Sequence, residues 1–164
     1  MTPLVLSQVA VAVASGSSEP AARPDGPAFA DASALRDALR AAKRIGYSTG
    51  PSGTELVKLI DSWGMASELE GRLVQARPGV PVAKSLADGD VDLGFQQLSE
   101  LVGQPGIRIL GVMPPDCSID TVFAGAVATA SASPASAAEV LAFLASDAAA
   151  RIKQSHAFGI PSQV

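Results

Sequence analysis

The chain has 164 residues, enough for one ordinary domain, and such a domain buries roughly 70% of the surface that its unfolded form exposes. Hydrophobic residues make up 48% and charged residues 17%, a composition that excludes an intrinsically disordered protein. The net charge of −4, with Lys and Arg scattered along the chain, argues against a protein that binds nucleic acid.

The apolar runs and the cysteine content argue against a membrane span and an internal disulfide. No stretch reaches the roughly 18 to 20 apolar residues that a membrane helix needs, and Ser7 and Gln8 interrupt the N-terminal apolar run. That run has neither a basic start nor a clear cleavage site, so we predict no membrane span and no signal peptide in this chain. The single cysteine, Cys117, excludes an internal disulfide and a Cys-based metal cluster. We expect no cofactor.

The first elements follow from apolar periodicity and from the positions of Gly and Pro. In order they are a buried strand over 2–15, an exposed loop over 17–27, a helix from Asp31 or Ser33 to Lys43, and a strand over 44–47.

A polar, glycine-rich loop then leads into a second helix, which ends at Gly64. Ser52 and Glu55 have the spacing of a capping box. A strand, such a loop and a helix start direct backbone N–H groups and the positive end of the helix dipole at one point, which suits a carboxylate or an oxyanion. On spacing alone, an ordinary capped helix after an ordinary turn is the favoured alternative. The predicted ligand-binding residues here are Ser48, Thr49, Ser52, Gly53 and Thr54.

The second half continues the alternation of strands and short helices. We predict strands over 73–76, 91–95, 107–112 and 119–129, short helices over 80–88 and 96–102, and two Ala-rich helices that begin at Pro134 and Asp147, the last ending near Gly159. This order predicts the α/β class with a parallel sheet and ligands at the carboxyl ends of its strands. Gln96 and Gln97 fall just past the strand over 91–95, where they either donate to a ligand or form a solvated turn.

Three other candidate sites are weaker. Asp88, Asp90 and Asp92 alternate as in a calcium loop but lack its Gly and its distal Glu, so we expect no metal. His156 lies near a helix end, where the dipole favours it, and no Gly-x-Ser-x-Gly motif supports a catalytic triad. Cys117 has no basic neighbour in sequence to activate it as a nucleophile. We therefore predict no catalytic residue.

Three segments resemble the class II solute-binding proteins of ABC transporters, in particular their molybdate-binding-like branch. The segments are 44–54 (RIGYSTGPSGT), 89–101 (GDVDLGFQQLSEL) and 142–146 (AFLAS). The resemblance implies a type II periplasmic-binding-protein fold with lobe two nearly complete. It also implies three ligand contacts, first at Ser52 and Gly53 with Ser48 and Thr54 nearby, second at the next helix start near Gly79 and Val80, and third at Gln97. In the molybdate binders the third position looks like a tyrosine, so an organic acid fits this chain as well as an oxyanion does.

The resemblance also predicts the domain organisation. Residues 1–16 correspond to the crossover strand, 17–118 to the lobe-two α/β domain, and 119–164 to the return strand and C-terminal helices of lobe one. The N-terminal part of lobe one has no counterpart in this chain. The apolar faces of residues 119–164 therefore lack their usual cover, and we expect a homodimer through this region.

The function implied by the resemblance is that of a periplasmic or extracellular substrate-binding protein. Such a protein captures a small anion between two lobes and delivers it to an ABC transporter permease. The alternative is an isomerase of a small tri- or dicarboxylate, since aconitate isomerase is a close relative of this branch with the same fold. That reaction needs a general base near Ser52 and Gln97, for which Glu100 is the nearby carboxylate. A LysR-type effector domain shares the fold but follows a helix-turn-helix, which this sequence does not contain.

Overall fold

The computed structural model describes residues 1–18, 20 and 26–161, in which strands and helices alternate. The strands are β1 (Thr2–Ala14), β2 (Ile45–Tyr47), β3 (Leu73–Gln75), β4 (Leu93–Gln97), β5 (Ile107–Val112) and β6 (Asp120–Gly125). The helices are α1 (Ala32–Ala41), α2 (Pro51–Ser62), α3 (Val82–Ala87), α4 (Leu98–Leu101), α5 (Pro134–Ala145) and α6 (Asp147–Ser155). Within these ranges no helix is long and apolar enough to cross a bilayer. The predicted mixed α/β class is confirmed.

The chain divides into two compact units. Unit 1 consists of residues 1–7 together with those from 120 onward, and unit 2 consists of residues 8–119. The long strand β1 contributes its first residues to unit 1 and the rest to unit 2. The assignment of residues 17–118 and 119–164 to two different lobes stays a prediction.

Unit 2 is built on a mixed sheet with the strand order β3-β2-β4-β1-β5. Strand β2 pairs in parallel with both β3 and β4, and Tyr47 lies opposite Gln75 on one side and Phe95 on the other. Strand β1 runs antiparallel to β4 and β5. The prediction of a parallel sheet is confirmed for β2, β3 and β4 and was wrong for β1, because apolar periodicity reports which face of a strand is buried and not its direction.

The core of unit 2 lies on the two faces of this sheet. On one face, large side chains of β1 pack with Leu35 and Leu39 of α1 and with Leu56 and Ile60 of α2. On the other face, β1 presents Ala10 and Ala12 to a smaller cluster that includes residues of α3. Burial of each Leu or Ile stabilises the fold by roughly 1.5–3 kcal/mol. The alternation of large and small residues along β1 thus determines which helices pack on which face.

Helix α1 begins as predicted and ends earlier. The Asp31 carboxylate caps it by accepting from the Ala34 N–H at 2.9 Å, which confirms one of the two predicted caps. The helix stops at Ala41 and not at Lys43. The carboxylate of Asp92 accepts from the N–H groups of Lys43 at 2.9 Å and Arg44 at 2.6 Å, and these bonds replace the helical ones.

Two elements around the third helix differ from the predicted ranges. Helix α3 begins at Val82 and not at Val80, because Pro81 is its N-cap. Strand β4 extends to Gln97 and does not stop at Phe95, so Gln96 lies inside the strand and not in a turn beyond it. The sequence pattern located this strand two residues too early.

Unit 1 contains β6, which pairs with β1, and the two C-terminal helices. Strand β6 ends at Gly125 and not at Thr129. Gly125 packs directly against the side chain of Leu141 on α5. Helix α6 ends at Ser155, well before Gly159. Gly159 instead exchanges two backbone hydrogen bonds with Leu6, at 2.9 and 2.7 Å.

Candidate functional site

The candidate site begins where β2 ends and α2 starts. Gly50 is the N-cap of α2 and Pro51 its first residue, so the capping box predicted from Ser52 and Glu55 is wrong. Both residues lie in the first turn, and Glu55 forms an ion pair with Lys58 at 2.7 Å instead. No side chain caps α2. No side-chain oxygen therefore accepts a capping bond from the N–H groups at the start of this 12-residue helix.

Gly53 allows the first turn of α2 to lie directly on the end of β2. A Cβ atom at this position would overlap the carbonyl oxygen of Ser48 and would lie 3.0 Å from Cδ2 of Tyr47. A residue without a side chain is thus needed for this approach. The approach brings Ser48, just after the strand, next to Ser52, in the helix.

The hydroxyls of Ser48 and Ser52 form a hydrogen-bonded pair with an Oγ–Oγ distance of 2.8 Å. Each hydroxyl carries one hydrogen, so one of the two is used inside the pair and the other remains for a third acceptor. Ser52 is only 2% exposed, and Ser48 is half-buried. The pair is therefore a donor that is largely withdrawn from solvent.

The backbone of the first α2 turn contributes one further donor. The N–H groups of Gly53 and Thr54 both donate to the Gly50 carbonyl, at 3.1 and 3.2 Å, and Pro51 has no N–H. The N–H of Ser52 makes no hydrogen bond to any residue that the structure describes. An N–H group in the first turn of a helix has no intrahelical acceptor, so this donor is available to an acceptor that the described residues do not supply.

Gln96 and Gln97 lie at the same edge of the sheet, because Tyr47 and Phe95 are opposite each other and both strands run in the same direction. Both glutamines are buried. The side-chain oxygen of Gln96 accepts from the N–H of Val82 at 2.9 Å. This bond fixes the orientation of the amide and directs its NH2 group away from α3.

The second predicted contact lies in the loop between β3 and α3. The N–H of Ala76 donates to the carbonyl of Tyr47 at 2.8 Å, which ties this loop to the end of β2. Gly79 is exposed in the left-handed conformation with φ of 77°. The N–H of Val80 donates to the carbonyl of Arg77 at 2.9 Å. The backbone donor of Val80 is thus engaged within a turn of its own loop.

The other predicted residues of the first loop lie at its rim. Thr49 and Thr54 are both exposed, and the Thr54 hydroxyl is 3.4 Å from the carbonyl oxygen of Gly50. The structure therefore brings Ser48, Ser52 and Gly53 together. Sequence reasoning missed the bond from Val82 to Gln96, since a strand placed two residues too early leaves Gln96 outside the sheet.

A cavity of about 390 Å³ adjoins Val80 and contains several charged side chains. Its lining includes the cationic side chains of Arg44, Arg77 and Lys84 and the carboxylates of Asp88 and Asp90. The ammonium of Lys84 is 2.7 Å from the Asp88 carboxylate, and this hydrogen bond raises the pKa of Lys84. These aspartates therefore lie among cations.

The remaining titratable candidates take structural positions. Cys117 is buried, and this burial, followed by the charge of Asp116, raises the pKa of its thiol to about 11. His156 is the C-cap of α6, the position predicted for it. Glu100 is exposed on α4.

Comparison with known proteins identifies the family. Residues 1–159 match the family described as bacterial extracellular solute-binding protein. The chain belongs to this family. An aconitate isomerase from a Pseudomonas species is 34% identical to this solute-binding protein over 158 residues, which are 96% of the chain and 58% of the relative. The chain thus spans less than two thirds of that relative's length.

Two solved structures show the same fold. The substrate-binding domain assigned to a molybdenum ABC transporter of Clostridium difficile superposes with a TM-score of 0.67 at 17% identity, over 98% of this chain and 66% of that one. The periplasmic molybdate-binding protein of Azotobacter vinelandii gives 0.60 at 18% identity, over 98% and 68%. The predicted solute-binding-protein family, its isomerase relative and the type II periplasmic-binding fold are confirmed. The chain corresponds to only part of a full binding protein.

Proposed function

We propose that this chain binds a small anion, a carboxylate or an oxyanion, where α2 begins beside the ends of β2 and β4. The observation that carries the proposal is Ser52. It contributes a hydroxyl paired with that of Ser48 and a backbone N–H with no acceptor among the described residues, at the start of a helix that no side chain caps.

The chemistry of these groups favours an anion over a neutral or cationic ligand. A hydroxyl pair can offer its free hydrogen, the Ser52 N–H another, and the Gln96 amide adds an NH2 group at the same edge. Hydrogen bonds to a charged acceptor contribute roughly 1.5–3 kcal/mol each. The α2 dipole adds about 0.3–1 kcal/mol for a negative charge at its N-terminus. Thr49, Thr54, Gly79 and Gln97 are proposed as further contacts around this centre.

Two classes of anion are favoured by different relatives. The relative named aconitate isomerase favours a tricarboxylate, and the fold neighbour that binds molybdate favours a tetrahedral oxyanion. Because the donors are neutral, each class can be accommodated without a dedicated cation. We place the tricarboxylate first, since the isomerase is 34% identical to this chain over 158 residues.

Titration calorimetry with aconitate and, separately, with molybdate tests the binding proposal. Ser52→Ala should lower the affinity for the anion about 10-fold or more, because it removes one hydrogen bond to a charged acceptor. Ser62→Ala is the matched control, because that serine is exposed at the other end of α2. Equal affinities of wild type and a folded Ser52→Ala variant for both anions would rule the site out.

An isomerase is the second candidate function, supported by the curated relative. The reaction moves a proton on a small tricarboxylate and needs a base near Ser52, for which we propose Glu100. Incubation with cis- or trans-aconitate in deuterated water distinguishes the two functions. Incorporation of deuterium into the acid at a catalytic rate, abolished in Glu100→Gln, would establish the isomerase. Aconitate that binds without becoming labelled would indicate a binding protein.

Cellular context follows from the family, whose members are extracellular solute-binding proteins. We propose that the chain acts outside the cytoplasmic membrane and passes its solute to an ABC transporter permease. Uptake of labelled solute by cells with and without the gene tests this role, and unchanged uptake contradicts it.

A further inference from the structure

Gln96 is a buried amide whose oxygen is bonded and whose nitrogen is not. The side chain is 6% exposed, and its Oε1 atom accepts from the backbone N–H of Val82 at 2.9 Å. The Nε2 atom makes no hydrogen bond to any residue that the structure describes. No fully buried side-chain N or O atom in the described part of the chain lacks a partner, so Nε2 is within reach of solvent. The NH2 group of Gln96 is therefore accessible to a ligand.

The register of the parallel strands places Gln96 beside the serine pair. Tyr47 of β2 lies opposite Phe95 of β4, and the two strands run in the same direction. Ser48 and Gln96 are the next residues along the chain, at an edge of the sheet where neighbouring strands are about 4.8 Å apart. The Ser48 hydroxyl is in turn 2.8 Å from that of Ser52. The amide of Gln96 and the donors of Ser52 thus belong to the same edge of the sheet.

The bond from Val82 prevents the amide of Gln96 from turning over. A glutamine amide that is free to rotate presents either its oxygen or its NH2 group, and so matches a donor or an acceptor. The backbone N–H of Val82 can only donate, so Oε1 must face α3. Val82 is 0% exposed, so water does not replace Oε1 as its acceptor. Gln96 consequently offers donors, and only donors, on its accessible side.

The elements around Gln96 carry few charges. Strands β1, β2 and β4 contain no Asp, Glu, Lys or Arg, and Tyr47 of β2 packs against the core. The charged side chains of the three helices in contact with β4 are all exposed, namely Glu55, Lys58, Asp61, Lys84 and Glu100. Glu55 pairs with Lys58, and Lys84 pairs with Asp88. Selection at Gln96 therefore depends on the direction of its amide and not on a neighbouring charge.

We propose that Gln96 determines which ligands the site takes, with the Val82 N–H as its positioning group. This role presupposes the anion site proposed above, because it concerns which ligands that site distinguishes. The Ser52 N–H and the Gln96 NH2 are both fixed donors, so the bound group must offer two bare oxygens. An ionised carboxylate has two, whereas a protonated acid or a primary amide has one, and its N–H or O–H would oppose a donor of the protein. The site therefore selects the ionised carboxylate.

Gln96→Glu tests this role by calorimetry with aconitate. One oxygen of the introduced carboxylate keeps the bond from Val82 and the other faces the ligand as an acceptor, so the affinity at about pH 8 should fall about 10-fold or more. Burial beside an anion raises the pKa of the introduced carboxyl, and its protonated form donates as the amide did. The affinity relative to wild type at the same pH should therefore recover towards about pH 5. Taking this ratio removes the effect of protonation of aconitate itself.

Gln75→Glu is the matched control. Gln75 lies opposite Tyr47 at the end of β3 and is exposed, so the same chemical change is made at the same edge of the sheet without the bond from Val82. Its affinity for aconitate should stay within about twofold of wild type at both pH values, because solvent and salt screen an exposed charge. Circular dichroism confirms that each variant is folded.

Nuclear magnetic resonance of the 15N-labelled wild type needs no variant. On saturation with aconitate the side-chain NH2 signals of Gln96 should shift, while the backbone amide signal of Val82 stays in place because its bond persists. A Val82 signal that moves while the Gln96 NH2 signals do not, or a Gln96→Glu affinity ratio that is independent of pH, would overturn the role of Gln96 and leave the anion site intact. A wild type that binds no aconitate would overturn this role and the carboxylate ligand together.

Discussion

Gly46 of β2 lies opposite Gly94 of β4, and helix α3 packs directly over this pair. A Cβ atom on Gly46 would lie 2.8 Å from Val91 Cγ2, and one on Gly94 would lie 2.7 Å from Leu86 Cδ1 and 2.8 Å from Val82 Cγ1. The two glycines thus let α3 approach the sheet closely. This approach brings the Val82 N–H within 2.9 Å of the Gln96 side chain.

The first prediction concerns this close approach. Gly94→Ala should lower the free energy of unfolding by about 1–3 kcal/mol, because the added methyl group overpacks the space under Leu86 and Val82. Urea denaturation measures the change. Gly16→Ala is the control, since a Cβ atom there meets nothing within 4 Å. Equal stabilities of the two variants would contradict this account of the packing.

A second prediction tests the junction of β2 and α2. Gly53→Ala should both destabilise the fold by about 1–3 kcal/mol and weaken anion binding, because its methyl group displaces the Ser48 carbonyl and with it the Ser48 hydroxyl. Gly50→Ala adds a methyl group 3.8 Å from Ser48 Oγ and should cost less than 1 kcal/mol. Thermal unfolding and calorimetry measure the two effects. A stable Gly53→Ala variant with full affinity would contradict the proposed geometry.

Local sequence signals predicted the elements well where the deciding contacts are local. Asp31 caps α1 by accepting from the N–H group three residues later. Gly64 follows the end of α2 in the left-handed conformation with φ of 70°. Both follow from the conformational preferences of single residues. The strand Ile107–Val112 was likewise predicted at its observed limits.

The sequence was less informative where distant residues determine the structure. The carboxylate of Asp116 accepts from the N–H of Ala32, 84 residues earlier. The carboxylate of Asp92 accepts from the N–H of Lys43, 49 residues earlier, just after the end of α1. The bond between Val82 and Gln96 joins a helix to a strand that the pattern had misplaced. Such contacts depend on tertiary packing and have no periodic signature. The site loop was predictable, and the bonds inside it were not.

The third prediction separates the two serines of the site by their burial. Ser48→Ala should cost about 1–3 kcal/mol, because it leaves the buried Ser52 hydroxyl without its partner. Ser52→Ala should cost only about 0.5–1.5 kcal/mol, since the half-buried Ser48 hydroxyl can turn to water. The loss of stability in the double variant should be smaller than the sum of the losses in the two single variants. Urea denaturation of all four proteins measures this, and strict additivity would contradict the pairing.

The last prediction concerns the thiol of Cys117. Its burial, more than the charge of Asp116, raises the thiol pKa from an ordinary value of 9.0 to about 11. Because the thiolate is the reactive form, alkylation by iodoacetamide should be slow at neutral pH and should rise about tenfold per pH unit until close to pH 11. The folded state holds the proton more tightly than the unfolded state does, so the stability that this group contributes is complete below pH 9 and declines as the pH rises from 9 to 11. The chain denatured in urea is the control and should react with the profile of an ordinary thiol. Mass spectrometry of the alkylated protein gives both rates, with circular dichroism confirming the fold at each pH. A folded protein whose reactivity levels off near pH 9 would show that the thiol is solvated and that this part of the core is open to water.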